Sequence, residues 1–149
     1  MNSDHISDRL RQKVATRAEH LCEYCLIHEE DAYVGLQVDH IISKKHGGPT
    51  TAQNLALACA CCNRQKGTDI SAIDPTSGKF VALYNPRKFL WRDHFQLVGV
   101  RIAWLTGIGA ATVRLLKLND PRRILERQIL RNFKRYPSST ALRQINRKS

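Results

Sequence analysis

The chain has 149 residues, is 42% hydrophobic, and carries 24 Lys+Arg against 13 Asp+Glu for a formal net charge of +11. That length suits one compact domain, or one domain with an extension, and it buries enough surface to fold without disulfide staples. The most apolar stretch, Leu97 to Leu105, is short and broken by Arg101, which argues against membrane insertion, and the start MNSDHISDRLRQK has no apolar signal-peptide core. The five cysteines are then expected to be thiols in a reducing, cytoplasmic setting, with metal ligation as their leading use.

The charge is unevenly spread. Residues 1–79 hold nine Lys/Arg and ten Asp/Glu, a net −1, whereas residues 80–149 hold fifteen and three, a net +12. A basic surface of this kind attracts polyanions, and nucleic acid is the leading candidate, with acidic proteins and ribosomal surfaces as alternatives.

In chain order, Ser7 caps a predicted helix running to about Glu19, with Ile6 as a staple and Leu10, Val14, Ala18 and Leu21 near helical spacing. Residues 22–32 turn, and Tyr33, Val34, Leu36 and Val38 read as a strand ending near Asp39-His40. A basic, turn-rich loop follows from Ser43 to Thr51. Residues 54–59 read as a second strand, and Ala60 to Lys66 as a helix ended by Gly67.

Beyond Asp69 the chain turns through Asp74, Pro75, Ser77 and Gly78, and Phe80 to Leu83 suits another short strand. LVGVRIAWL looks like a strand, and the LTGIGAATVRLL that follows it resembles a helix-hairpin-helix element in its Gly-x-Gly turn, on a short motif alone. Asp120 and Pro121 open a helix expected to reach about Arg135, with Ile124, Leu125, Ile129 and Phe133 on its apolar side. Arg123, Arg127, Arg131 and Arg135 recur four apart on another side, either as a solvated face or as a phosphate-binding stripe, and the charge excess around them favours the stripe.

Cys22-x-x-Cys25 and Cys59-x-x-Cys62 are two CxxC pairs separated by 33 residues. Together they supply four thiolates for tetrahedral Zn²⁺, leaving no open position, so the site is expected to be structural. Cys61 is expected to be a buried apolar residue. The alternative is that all five are simple core thiols.

The groups suited to chemistry lie among these knuckles: Asp39-His40, Asn54 and Asn63. Read in order, CEYC, VDHII, HGG, NLALACACCN and RQKG resemble the HNH endonuclease family over about residues 17–67. ALYNPRKFLWRDHF and LTGIGAATVRLLKLN are more loosely similar to the extension of free-standing bacterial members.

The resemblance implies an α+β fold: a ββα-metal (HNH, His-Me finger) core with zinc knuckles, an N-terminal helix and a basic, mainly helical C-terminal extension. One nuclease domain is expected over residues 1–149, divided into the helix (1–20), the core (21–68) and the extension (69–149). The resemblance also implies a DNA endonuclease with His40 as general base, a role that suits imidazole's near-neutral titration. Asp39 and Asn63 are expected to hold Mg²⁺ or Mn²⁺ through hard oxygen donors. Asn54 is carried over as the residue that orients the His40 loop, its alternative being a turn-former before a strand.

Asp39 and His40 can serve one phosphate only if the strand ends or bulges there, and such an irregularity is expected at His40. Asn63 stands where the family's name has a histidine, which leaves the metal preference open. Lys44, Lys45, His46 and Lys66 are candidate phosphate contacts together with Arg123, Arg127 and Arg131. His20, His28 and His94 read as ordinary surface or core residues. Two other functions compete: a zinc-stabilised nucleic-acid-binding protein without catalysis, and a nuclease acting on RNA.

Overall fold

A computed structural model describes residues 5–147, so the outermost residues of the expected 1–20 and 69–149 segments lie outside the described residues. The first helix, α1, spans Asp8–Arg17, and Ser7 caps it as its Oγ accepts from Leu10 N at 3.1 Å. Its apolar side buries Val14, which joins Ile6, Ala18, Leu55 and Leu57 in a small cluster.

Strand β1 covers Leu36–His40 and pairs antiparallel with β2, Leu55–Cys59, from Leu36↔Cys59 to His40↔Leu55. Every residue of β2 is buried, as its unbroken apolar run requires. Helix α2, Ala60–Lys66, follows without a loop, because Cys59 ends the strand and caps the helix, its Sγ accepting from Cys62 N at 3.4 Å. The result is a ββα unit in an α+β molecule of small antiparallel hairpins and helices.

Two further hairpins join β3 (Ser71–Ile73) to β4 (Phe80–Ala82) and β5 (Phe95–Val98) to β6 (Arg101–Trp104), with α3 (Trp91–His94) between them. Helices α4 (Gly107–Leu115), α5 (Pro121–Asn132) and α6 (Ser139–Ile145) complete the order. The main core draws Leu21, Tyr24, Leu26 and Ile27 from the first half together with Tyr84, Trp91, Phe95, Ile102, Leu116, Leu118, Tyr136 and Ala141 from the second. Burying each large apolar side chain contributes about 1.5–3 kcal/mol. Polar ties reinforce the seam: Trp91 Nε1 donates to Tyr24 O at 2.9 Å, and the Tyr136 hydroxyl donates to Cys25 O at 2.7 Å. The basic half therefore folds against the knuckles.

Several elements differ from expectation. Tyr33 and Val34 lie exposed in a turn, because Gly35, at φ +74°, breaks the extended run before Leu36. Residues 71–73, read as part of a turn, form β3, which is too short to show any period. The stretch 97–105 is two strands and not one, folded back at Gly99 and Val100.

Strand β6, and not a helix, leads directly into the LTGIG segment, which removes the helix-hairpin-helix reading. Gly109 is instead required by packing, since a Cβ there would stand 2.2 Å from His94 O. No membrane-crossing helix, long and apolar enough to span a bilayer, occurs among the described residues.

The greatest departure is in α5, which ends at Asn132 and turns only Ile124 of its expected apolar side toward the core. Leu125, Ile129 and Phe133 are exposed, whereas Arg123 and Arg127 are buried. The reason is the chemistry of the surface beneath. Arg123 Nη1 donates to Leu116 O at 2.8 Å, and Arg127 Nε donates to Val100 O at 2.7 Å, so the guanidinium groups satisfy carbonyls that burial would otherwise leave unpaired. Arg123 and Arg127 are thus structural, and the expectation that they contact phosphate is corrected. Arg131 alone of the three is exposed.

Candidate metal and nuclease site

The knuckle cysteines converge. Cys22, Cys25, Cys59 and Cys62 are all buried, and their sulfur atoms lie within 4.8 Å of one another. A tetrahedron with Zn–S bonds of about 2.3 Å has edges of about 3.8 Å; the Cys25 and Cys59 Sγ atoms stand 3.8 Å apart. The cluster therefore fits zinc. Each knuckle also folds an amide onto its leading sulfur, Cys25 N to Cys22 Sγ at 3.5 Å and Cys62 N to Cys59 Sγ at 3.4 Å.

Burial pushes the Cys22 and Cys62 thiols up, while hydrogen bonds from Cys22, Cys59 and Cys62 draw Cys25 down. Cys61, expected to be buried, is half-buried and packs against the core from outside the sulfur group.

Asp39 and His40 close β1. Pairing stays regular through His40↔Leu55, so the expected irregularity takes the form of a strand end and not a bulge. Directly beyond it, Asn54 is buried and makes three hydrogen bonds of 2.9 Å: Oδ1 accepts from Ile42 N, and Nδ2 donates to Ile42 O and to Pro49 O. One side chain thereby ties both ends of the loop to the start of β2. His40 Nε2 lies 2.9 Å from Thr50 Oγ1 at the far end of the same loop.

Gly48 is part of this construction. A Cβ there would stand 1.8 Å from Ile42 O and 2.8 Å from Asn54 Nδ2, so only glycine allows the approach.

Helix α2 covers the other side of β1. Gln37 and Asp39, two apart on the strand, share one face, and residues three apart on α2 meet them. Asn63 Nδ2 donates to Gln37 Oε1 at 2.6 Å, and Lys66 Nζ lies 3.0 Å from Asp39 Oδ2 while donating to His40 O at 2.9 Å. Lys66 is almost fully buried, so its expected role as a phosphate contact is corrected: its ammonium is directed at the Asp39 carboxylate and the His40 carbonyl. Burial pushes the Asp39 carboxyl up, opposed by the positive charge of Lys66. Asp39 Oδ2 is buried and accepts no aligned hydrogen bond among the described residues.

Lys44, Lys45 and His46 form an exposed helical turn on the loop. Sequence reasoning missed Gln37 and Thr50. The period-two relation of Gln37 to Asp39 was an available signal, whereas nothing local marked Thr50.

A ββα unit with an Asp-His strand end, secured to a four-cysteine cluster that fits zinc, defines the class of fold. Residues 22–69, about a third of the chain, match the family model described as HNH endonuclease, a span that holds both knuckles, β1, β2 and α2. Over these residues the chain is similar to that family, and the four-cysteine cluster within the span is consistent with its zinc-knuckle variant. No curated protein and no solved structure matches the chain.

Proposed function

We propose that the chain is a metal-dependent endonuclease that hydrolyses phosphodiester bonds in DNA, acting as one HNH nuclease domain in the cytoplasm. The observation that carries this reading is the strand end itself, where a carboxylate whose Oδ2 meets the Lys66 ammonium adjoins a histidine whose Nε2 is engaged by Thr50. In the tautomer whose Nε2–H donates to Thr50 Oγ1, Nδ1 is the nitrogen available to accept a proton from an attacking water. Asn54 is a positioning residue, since it fixes the loop that carries Thr50.

Asp39 and Asn63 supply hard oxygen donors suited to Mg²⁺ or Mn²⁺, whose chemistry when bound is to stabilise charge developing on the leaving oxygen. The amide of Asn63 that donates to Gln37 leaves its oxygen for that purpose. Lys45 and His46 on the loop, with Arg131 from the basic half, are suited to the phosphate backbone, which positions the substrate without reading sequence.

One observation favours a second reading. Lys66 already places a cation beside Asp39, as expected of a zinc-stabilised nucleic-acid-binding protein that does no chemistry. Supercoiled plasmid incubated with purified protein and Mg²⁺, Mn²⁺ or EDTA separates the two. Conversion to nicked or linear DNA with the metals and not with EDTA is expected. A retained gel shift without conversion under any metal would move the assignment to the binding protein, and cleavage confined to RNA run alongside would move it to an RNA-directed nuclease.

A further inference from the structure

The four-cysteine cluster has a fifth neighbour that the spacing of cysteines does not disclose. Arg123 enters from α5, and its Nη2 lies 3.0 Å from Cys62 Sγ and 3.7 Å from Cys59 Sγ. Its other arm, Nη1, donates to Leu116 O at 2.8 Å and reaches Lys117 O at 3.4 Å, beyond the end of α4. The side chain is buried at 9% exposure, so this contact is shielded from solvent.

Four thiolates around Zn²⁺ leave two negative charges in excess. Buried in a protein interior, that excess is costly unless it is paired and hydrogen-bonded. A guanidinium halves it, and its planar fork can address sulfur with one arm and carbonyl with the other.

We propose that Arg123 is the charge partner of the zinc centre, holding the metal by donating to the Cys62 and Cys59 sulfurs and so making the C-terminal extension a working part of the zinc site. This rests on the zinc reading of the cluster. Neither knuckle motif contains this residue, which lies 61 positions beyond Cys62. The role also explains why an arginine, and not an apolar residue, faces inward at this position of α5.

Arg127 supplies the control. It lies one turn further along the same helix and is buried even more deeply, but it donates to Val100 O and to Asn119 Oδ1 and to neither sulfur. The test compares wild type, Arg123→Met, Arg123→Lys and Arg127→Gln. The readouts are zinc content by elemental analysis, the rate of zinc transfer to a chromogenic chelator, and the thiolate charge-transfer band of the Co²⁺-loaded proteins.

The wild type is expected to carry one zinc per chain. Arg123→Met is expected to release it roughly 10–100-fold faster, the range typical when an outer partner of a metal ligand is removed, with a shifted Co²⁺ band. Arg123→Lys keeps the charge but cannot span sulfur and carbonyl together, so its rate falls between the two. Arg127→Gln melts earlier yet releases zinc at the wild-type rate once folded.

Should Arg123→Met fail to fold, Arg123→Lys against Arg127→Gln decides the matter. Equal release rates in those two variants, or a folded Arg123→Met that matches wild type, would overturn the proposal. A wild-type chain that contains no zinc and takes up none would overturn the zinc reading and, with it, this role, an outcome distinguishable by elemental analysis alone.

Discussion

Replacing Asn54 with alanine removes the three hydrogen bonds that hold the loop after β1, two on Ile42 and one on Pro49, each at 2.9 Å. A net contribution of about 1 kcal/mol per hydrogen bond puts the loss near 3 kcal/mol. That is a large share of the roughly 5–15 kcal/mol that holds a domain together. With a urea dependence of about 1.5–2 kcal/mol per molar, the unfolding midpoint falls by about 1.5–2 M.

Equilibrium urea unfolding checks the magnitude, and amide exchange at Ile42 checks the location, because that N–H loses its acceptor. Gly48→Ala attacks the same clamp from the other side, through its clash with Ile42 O and Asn54 Nδ2. The two substitutions should therefore be less than additive. A loss below about 1 kcal/mol for Asn54→Ala, or unaltered exchange at Ile42, would refute the reading of Asn54 as the loop's anchor.

Three other outcomes are expected. Cys22→Ser or Cys62→Ser, and equally exhaustive chelation of the wild type, should collapse the cooperative melt, because structural zinc contributes folding energy directly; a chelated protein that keeps its native melting temperature would contradict this. Burial pushes the imidazole of His94 down, so the folded chain takes up that proton at lower pH than the unfolded chain does. Stability should accordingly fall as pH drops below about 6.5 and level off beneath the folded value; His94→Gln should flatten that limb, and an unchanged pH profile would count against it. Lys45→Ala combined with Arg131→Ala should make the salt dependence of DNA binding shallower by roughly two units of log–log slope, whereas an unchanged slope would exclude both from the phosphate surface.

The core of the site was legible in the sequence because its signals are local. Two CxxC pairs, an Asp-His strand end and a helix running from Cys59 to Gly67 each lie within a few residues, and β1, β2 and α2 form where those signals fall. The orientation of α5 was not legible. Its apolar residues and its arginines have equal claims on helical spacing, and the choice between them depends on carbonyls and sulfurs supplied by the β5–β6 turn, the residue after α4 and the knuckles. The same holds for Lys66, whose burial follows from the packing of α2 on the Asp39 face of β1 and not from any feature of RQKG. Short elements such as β3 and α3 escaped because three or four residues carry no periodicity.

The central claim is that His40 takes the proton from the attacking water, and plasmid cleavage by wild type and His40→Ala at equal concentration, with melting curves recorded on the same samples, tests it most directly. The expected result is metal-dependent cleavage by the wild type and none above background by a His40→Ala variant that melts as a folded protein. Cleavage by folded His40→Ala at the wild-type rate would contradict the assignment.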